Sequence, residues 1–238
     1  MTEQDFLFLR GIEFSNHYEF YSIRNFGVQS RLEILKSVCS QKRVIHLGAA
    51  DHQGLIATKI AAGIWLHGLI TNVAKECIGV DINAEVVAYV SENHNVANMI
   101  SGNIFDEEIV NSFRSSGPWD VMLLGEILEH IPNPVQFLAD IRENYCGLVN
   151  EVIITVPNAL RISNFLNSLR NFEAVNTDHK YWFTPYTIAS VAAAAGLTPC
   201  WVAACHYVWE SPRRQFLRRI MQSRFPFLRD CLIMNAAL

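Results

Sequence analysis

The sequence predicts an α/β domain on a doubly wound, mostly parallel sheet. Three observations predict it. Short apolar runs alternate with helix-like segments over the first two thirds of the chain, the pattern of a parallel sheet with right-handed crossovers. The stretch from Arg43 to Asn83 reads as strand, tight turn, helix and second strand ending on an acid, Asp81. The last third changes character, and its two strand-like runs are placed to add an antiparallel edge.

In chain order, residues 5–40 read as helices. Phe6, Leu9, Phe14, Tyr18, Tyr21 and Phe26 give an irregular apolar stripe, and Val28 to Val38 a clearer one. The stripe suits a helix packed on the sheet edge better than a lid over a pocket. Val44 to Leu47 is the first strand, broken by Gly48 to His52; a helical segment follows, most apolar from Ile60 to Ile70. Cys77 to Val80 is the second strand, and Ala84–Asn93 a helix with Asn83 as its N-cap. Met99-Ile100 makes a short third strand, and Asp106–Ser115 a helix closed by Ser116-Gly117-Pro118. Asp120 to Leu124 is a buried strand. Pro134 to Tyr145 is a helix with proline in its first turn, where the missing N–H costs nothing. Val152 to Val156 is a strand that stops at Pro157. Ala159–Asn171 and Thr184–Ala195 read as helices, and Thr198–Trp209 and Cys231–Ala236 as strands. No repeat or linker interrupts the pattern, so residues 1–238 read as one domain.

Composition narrows the class. Of 238 residues, 50% are hydrophobic and 18% charged, which fits a packed interior and excludes disorder. A net charge of -4 makes no electrostatic case for nucleic acid, so none is expected as a partner. The six cysteines lie far apart with no C-x-x-C pair, which argues for reduced thiols rather than a zinc site or a disulfide framework. The N-terminus is acidic and lacks the basic region of a signal peptide, so a soluble, cytoplasmic protein is expected.

The turn after the first strand carries the chemistry. Gly48 is the one glycine where a G-x-G-x-x-G turn wants several, so a dinucleotide pyrophosphate, and with it a dehydrogenase, is disfavoured. Asp81 can accept both hydroxyls of a ribose. A ligand with a ribose and no phosphate asks less of the turn, and S-adenosylmethionine is such a ligand.

Four blocks follow in order: Arg43 to Ala50, Ile78 to Asn83, Trp119 to Pro134 and Val152 to Asn158. Together they resemble the motifs of class I S-adenosylmethionine-dependent methyltransferases. A fifth run, Asn176 to Pro185, resembles the branch that holds ubiquinone-type and glycan-modifying enzymes. The resemblance implies a Rossmann-like, seven-stranded sheet with S-adenosylmethionine across the carboxyl ends of its first strands. It divides the chain into an N-terminal helical segment (1–42), a cofactor-binding core (43–157) and substrate-side elements (158–238). It places Gly48 and Ala49 under the methionine moiety, Asp81 on the ribose and Ile82 against the adenine. Asn103 and Ile104 would border the adenine edge, and Gly125 and Glu126 would face the methionine end and the acceptor. The chain departs from the family's first motif, where His46 replaces an acid and Ala50 and His52 replace two glycines. A turn needing φ > 0 at those positions would be strained. Similar Leu-His-Leu-Gly turns with a later Trp-Leu-His, like Trp65-Leu66-His67, mark a subgroup; a non-catalytic scaffold with a degraded turn is the other reading.

On a helix, Glu126, Glu129 and His130 would share one face and could present two carboxylates and an imidazole to one ion. No fourth protein ligand is identifiable, so no metal is assigned. His130 is better read as general base or pocket wall, since an imidazole titrates near neutral pH. His179, ahead of a helix start, is the second candidate, with Glu126 shaping the acceptor site; His17, His94 and His206 are read as ordinary. Ser211 to Arg229 carries six arginines interleaved with apolar residues. This suits an amphipathic helix with its basic side in water, or else contact with an anionic membrane, an assembly partner or a phosphorylated, sugar-linked acceptor. The expected activity is O-methylation of a small-molecule or glycan-linked acceptor. The alternative enzyme is a quinone-type or lipophilic small-molecule methyltransferase using a Glu126/Glu129/His130 metal.

Overall fold

The computed structural model describes residues 1–51, 53–207 and 223–238. Nine α-helices and seven strands alternate among them. The chain opens with α1 (Glu3–Leu9) and α2 (Arg31–Cys39), then β1 (Arg43–Leu47), α3 (Gln53–Ala61), α4 (Leu66–Thr71) and β2 (Glu76–Asp81). α5 (Ala84–His94), β3 (Met99–Ser101), α6 (Glu107–Ser115), β4 (Trp119–Gly125), α7 (Pro134–Tyr145) and β5 (Val149–Pro157) complete the parallel half. α8 (Ile162–Ser168), α9 (Pro185–Ala194), β6 (Thr198–Cys205) and β7 (Cys231–Ala237) follow.

The sheet order is β3-β2-β1-β4-β5-β7-β6. The first five strands pair in parallel, and the reversed strand is the late β7, antiparallel to both β5 and the outermost strand β6. Side chains alternate between two buried faces, which is why these strands read as unbroken apolar runs. Ile45, Met122, Leu124, Ile154 and Met234 join the core under α6, α7 and α9, whereas Val44, Val121, Leu123, Ile153 and Ile233 pack beneath α2 and α4. Helix starts follow their caps. Asn83 and Asn133 accept the N–H of Val86 and Gln136, and Thr184 forms a capping box with Thr187 ahead of Pro185.

Three expected helices differ. Residues 10–30 form no α-helix. Gly11 and Gly27 take positive φ, and Phe14 is 86% exposed. Tyr21 is exposed too, while other aromatics make distant contacts: Tyr18 packs on Phe8 and Tyr186, Phe20 on Tyr186, and Phe26 on Trp201. Buried Asp5 accepts the hydroxyl hydrogens of Tyr18 and Ser22 and clasps this segment to α1. Farther along, Arg24 and Arg31 donate backbone N–H groups to Val202 and His206, which covers the open edge of the sheet. The apolar stretch Ile60–Ile70 is not one helix, because Gly63, at φ 67°, turns the chain between α3 and α4. α8 is shorter than Ala159–Asn171 and buries none of its residues, leaving Phe165 and Leu169 exposed. β6 ends at Cys205, and Val208-Trp209 at the end of the expected strand lie outside the described residues. No helix among the described residues is long and apolar enough to cross a membrane.

Candidate ligand site at the carboxyl ends of the strands

A cavity of about 630 Å³ opens where β1, β2, β4 and β5 end. This is the crevice where an open parallel sheet binds ligands. The β1–α3 turn forms its floor. Gly48 sits at φ 63° and donates its N–H to the Val80 carbonyl at 2.9 Å. A Cβ there would lie 3.0 Å from Ile127 Cδ1, so glycine is needed both for its backbone and for the close approach. Ala49 and Ala50 are buried behind it, and Asp51, at φ 68°, pairs with Lys59. Asp81 ends β2 with each carboxylate oxygen held by one backbone N–H, Ala50 to Oδ2 and Asn83 to Oδ1, both at 3.0 Å. Each oxygen keeps a further lone pair for a ligand hydroxyl. Ile82 follows at the rim, 82% exposed.

The β4 end is more charged. Glu126 sits at φ 60°, in the left-handed region, and its N–H bonds to Thr155 turn it back over β5. Its carboxylate accepts the Tyr207 hydroxyl at 2.6 Å and lies 3.5 Å from Arg31, whose guanidinium also donates to Thr155. Burial, and then Cys231 and Glu126, hold the Tyr207 hydroxyl far above the usual phenol range. The helical face expected for Glu126, Glu129 and His130 does not form, because Leu128–His130 is a single 3₁₀ turn. Glu129 still comes to the cavity. It is fully buried, neither carboxylate oxygen has a hydrogen-bond partner, and burial, with Glu126 second, pushes its pKa up to about 8. His179 is carried in by the loop before α9, where the Lys180 N–H bonds to the Glu129 carbonyl at 2.8 Å. Its ring stands edge-on to His130 with centroids 4.7 Å apart; burial and then His130 lower its pKa. One ligand atom from each of Glu129, His130 and His179 falls within a 4.8 Å cluster. This three-residue set is the donor group that no i, i+3, i+4 argument could assemble.

Of the residues singled out in the sequence, Gly48, Ala49, Asp81, Ile82, Gly125, Glu126, His130 and His179 line this one cavity. Asn103 and Ile104 do not. They lie in the loop after β3, one strand farther out, where Asn103 Oδ1 accepts the Phe105 N–H and the buried Ile104 gives its carbonyl to the Tyr145 hydroxyl. Arg31 and Tyr207 were missed. Arg31 opens a helix and Tyr207 follows a strand, and nothing local marks either as facing Glu126. His46, in the acid's place, is buried on β1 against His67. Of the arginine-rich tail, residues 211–222 lie outside the described residues, as does His52. Arg229, expected with the tail's basic side in water, is instead buried and donates to the Ala204 carbonyl at 2.9 Å. A guanidinium at that depth is kept because it satisfies a strand carbonyl.

No family model and no curated protein sequence matches the chain. Solved structures do. The small RNA methyltransferase HEN1 superposes with a TM-score of 0.54 at 16% identity, over 94% of this chain and 27% of that one. A chain of the Haloferax volcanii complex containing the Trm112 methyltransferase activator gives 0.52 at 12% identity, covering 86% and 87%. A SAM-dependent methyltransferase from Aquifex aeolicus gives 0.50 at 10% identity, covering 87% and 89%. This chain thus spans about a quarter of the HEN1 chain and most of the other two. At such identities the likeness is one of fold, and the fold is the Rossmann-like one of the class I methyltransferases.

Proposed function

We propose that the protein transfers a methyl group from S-adenosylmethionine to a hydroxyl oxygen of a small-molecule or glycan-linked acceptor. The observation that carries the reading is Asp81, fixed by two backbone N–H groups beside an open turn at Gly48 and an exposed apolar side chain at Ile82. That set fits a nucleoside without phosphates: a carboxylate for the ribose hydroxyls, bare backbone beneath, and an apolar surface for the base. When bound, the sulfonium supplies an already activated methyl group. The residues of this chain are left with positioning and with the acceptor's proton. His130 stands at the acceptor end and takes that proton, with His179 against its ring and Trp182 farther along the wall. Support for a glycan-linked acceptor comes from the run Asn176 to Pro185, because Asn176, Asp178, His179 and Trp182 all face the cavity. Calorimetry with S-adenosylhomocysteine tests the nucleoside site. Absence of measurable binding would leave a scaffold protein with this fold. Methyl transfer to a panel of sugar, phenol and RNA acceptors then tests the acceptor, and turnover on RNA alone would displace the small-acceptor reading.

A second reading adds a divalent cation. Both oxygens of Glu129 and Nδ1 of His179 are buried without hydrogen-bond partners, next to His130. Unpaired buried polar atoms of this kind are costly unless something satisfies them. A carboxylate with imidazoles is a donor set for a borderline divalent ion, which would polarise the acceptor hydroxyl there. Glu126, engaged with Arg31 and Tyr207, stays outside this set. Activity lost in EDTA and restored by Mn²⁺ supports this reading; activity unchanged in EDTA supports His130 as the base.

A further inference from the structure

Two histidines meet under the cavity floor, and the proposed chemistry uses neither. His46 on β1 and His67 on α4 are both buried, with their Nδ1 atoms 3.2 Å apart and their rings nearly stacked. Packing allows His67 little freedom. Trp65 stands edge-on to it, and a Cβ at Gly79 would lie 2.8 Å from its Cε1. Burial holds both rings neutral, so one Nδ1 donates and the other accepts. Whichever ring carries the shared proton, the contact uses Nδ1 of each and leaves Nε2 of His46 facing the ligand. That atom lies on the β4 side, 3.5 Å from where a Cβ on Gly125 would be, and His46 lines the cavity beside Arg31.

The sheet order supplies the direction. β1 lies between β2, which ends on Asp81, and β4, which ends on Gly125. A nucleoside whose ribose rests on Asp81 and whose base lies on Ile82, as proposed above, crosses Gly48 and carries its 5′ substituent toward His46. We propose that His46 is a binding residue for the aminocarboxyl end of that substituent, giving it one neutral hydrogen bond beside Arg31, and that His67 is the positioning residue that aims it. The inference rests on the proposed function and adds what selects the amino-acid end of the ligand.

The test compares S-adenosylhomocysteine with 5′-methylthioadenosine, which keeps the nucleoside and sulfur but lacks the aminocarboxyl group. By calorimetry, His46→Phe weakens S-adenosylhomocysteine about threefold to tenfold, the worth of one hydrogen bond, and leaves methylthioadenosine unchanged. His67→Phe gives the same selective loss. His67→Gln, which keeps a hydrogen-bonding group toward His46, retains most of the affinity and serves where the phenylalanine variants do not fold. Equal loss on both ligands, or loss on neither, overturns the inference and leaves the pair a packing device. If the wild type binds methylthioadenosine as tightly as S-adenosylhomocysteine, this inference fails while the nucleoside site stands. If it binds neither, the proposed function fails and takes the inference with it.

Discussion

Glu129 offers the sharpest test, because its environment makes the stability of the protein depend on pH in an unusual direction. The side chain is buried, its oxygens are unpartnered, and burial followed by Glu126 pushes its pKa up to about 8. An unfolded glutamate releases its proton near pH 4.3, so between roughly pH 4 and 8 the folded state binds more protons than the unfolded one. Stability therefore falls as pH rises through that window. At about 1.4 kcal/mol per pH unit, the loss approaches roughly 4 kcal/mol by pH 7. Glutamine keeps the shape and cannot ionise, although its unpartnered amide costs about 1–2 kcal/mol. At pH 7.5 in EDTA, Glu129→Gln is thus more stable than the wild type by about 2–3 kcal/mol, or roughly 4–12 °C in Tm for a chain of this length. At pH 4, below the window, little besides the amide cost remains, and the variant melts lower. Thermal melts at the two pH values check the change of sign. A difference in Tm that does not vary with pH would refute the reasoning. In the cation reading, Mn²⁺ raises the Tm of the wild type at pH 7.5 and leaves that of the variant in place.

Three further outcomes are expected. Asp81→Ala removes the carboxylate proposed to accept the ribose hydroxyls and the anchor of the Ala50 and Asn83 N–H groups, and calorimetry with S-adenosylhomocysteine should show at least about a hundredfold loss. Gly79→Ala places a Cβ 2.8 Å from both Ala49 Cβ and His67 Cε1, so denaturant unfolding should report about 1–3 kcal/mol of destabilisation despite the better β-former. Tyr145→Phe leaves the Ile104 carbonyl unpaired in the core and should cost about 1–2 kcal/mol by the same measurement, with no change in ligand affinity.

The strands were legible because a sheet buried on both faces leaves an unbroken apolar run, and β1, β2, β4 and β5 all carry one. α7 was legible to the residue, since Asn133 and Pro134 start it by local chemistry. Residues 10–30 were not. Their aromatics fall at helix-like spacing but serve distant partners, such as Tyr186 and Trp201, which local periodicity cannot reveal. The same limit applies in the site. Glu126 to His130 was recognisable as a cluster, yet its geometry depends on a positive φ at a glutamate and on Tyr207, which is 81 residues away. Glu126 pays for that backbone conformation with contacts to Arg31, Tyr207 and Thr155, which no pattern in its own segment announces.

The altered glycine turn shows how a sequence departure can leave geometry intact. Alanine at position 50 would be strained if the turn needed a left-handed residue there. The turn takes its positive φ at Gly48 and Asp51 instead. Aspartate tolerates that region better than most residues, and Lys59 holds its carboxylate in place. Ala50, free of the backbone demand, turns its N–H to Asp81 and its methyl into the core with Ile56 and Val86. The bond from the turn to Asp81 needs only a backbone N–H, which alanine supplies as well as glycine does. What the floor cannot lose is Gly48, where the φ requirement and the 3.0 Å approach of Ile127 coincide. Replacing Gly48 with alanine should therefore damage ligand binding far more than exchanging Ala50 for glycine, and calorimetry on the two variants measures the contrast.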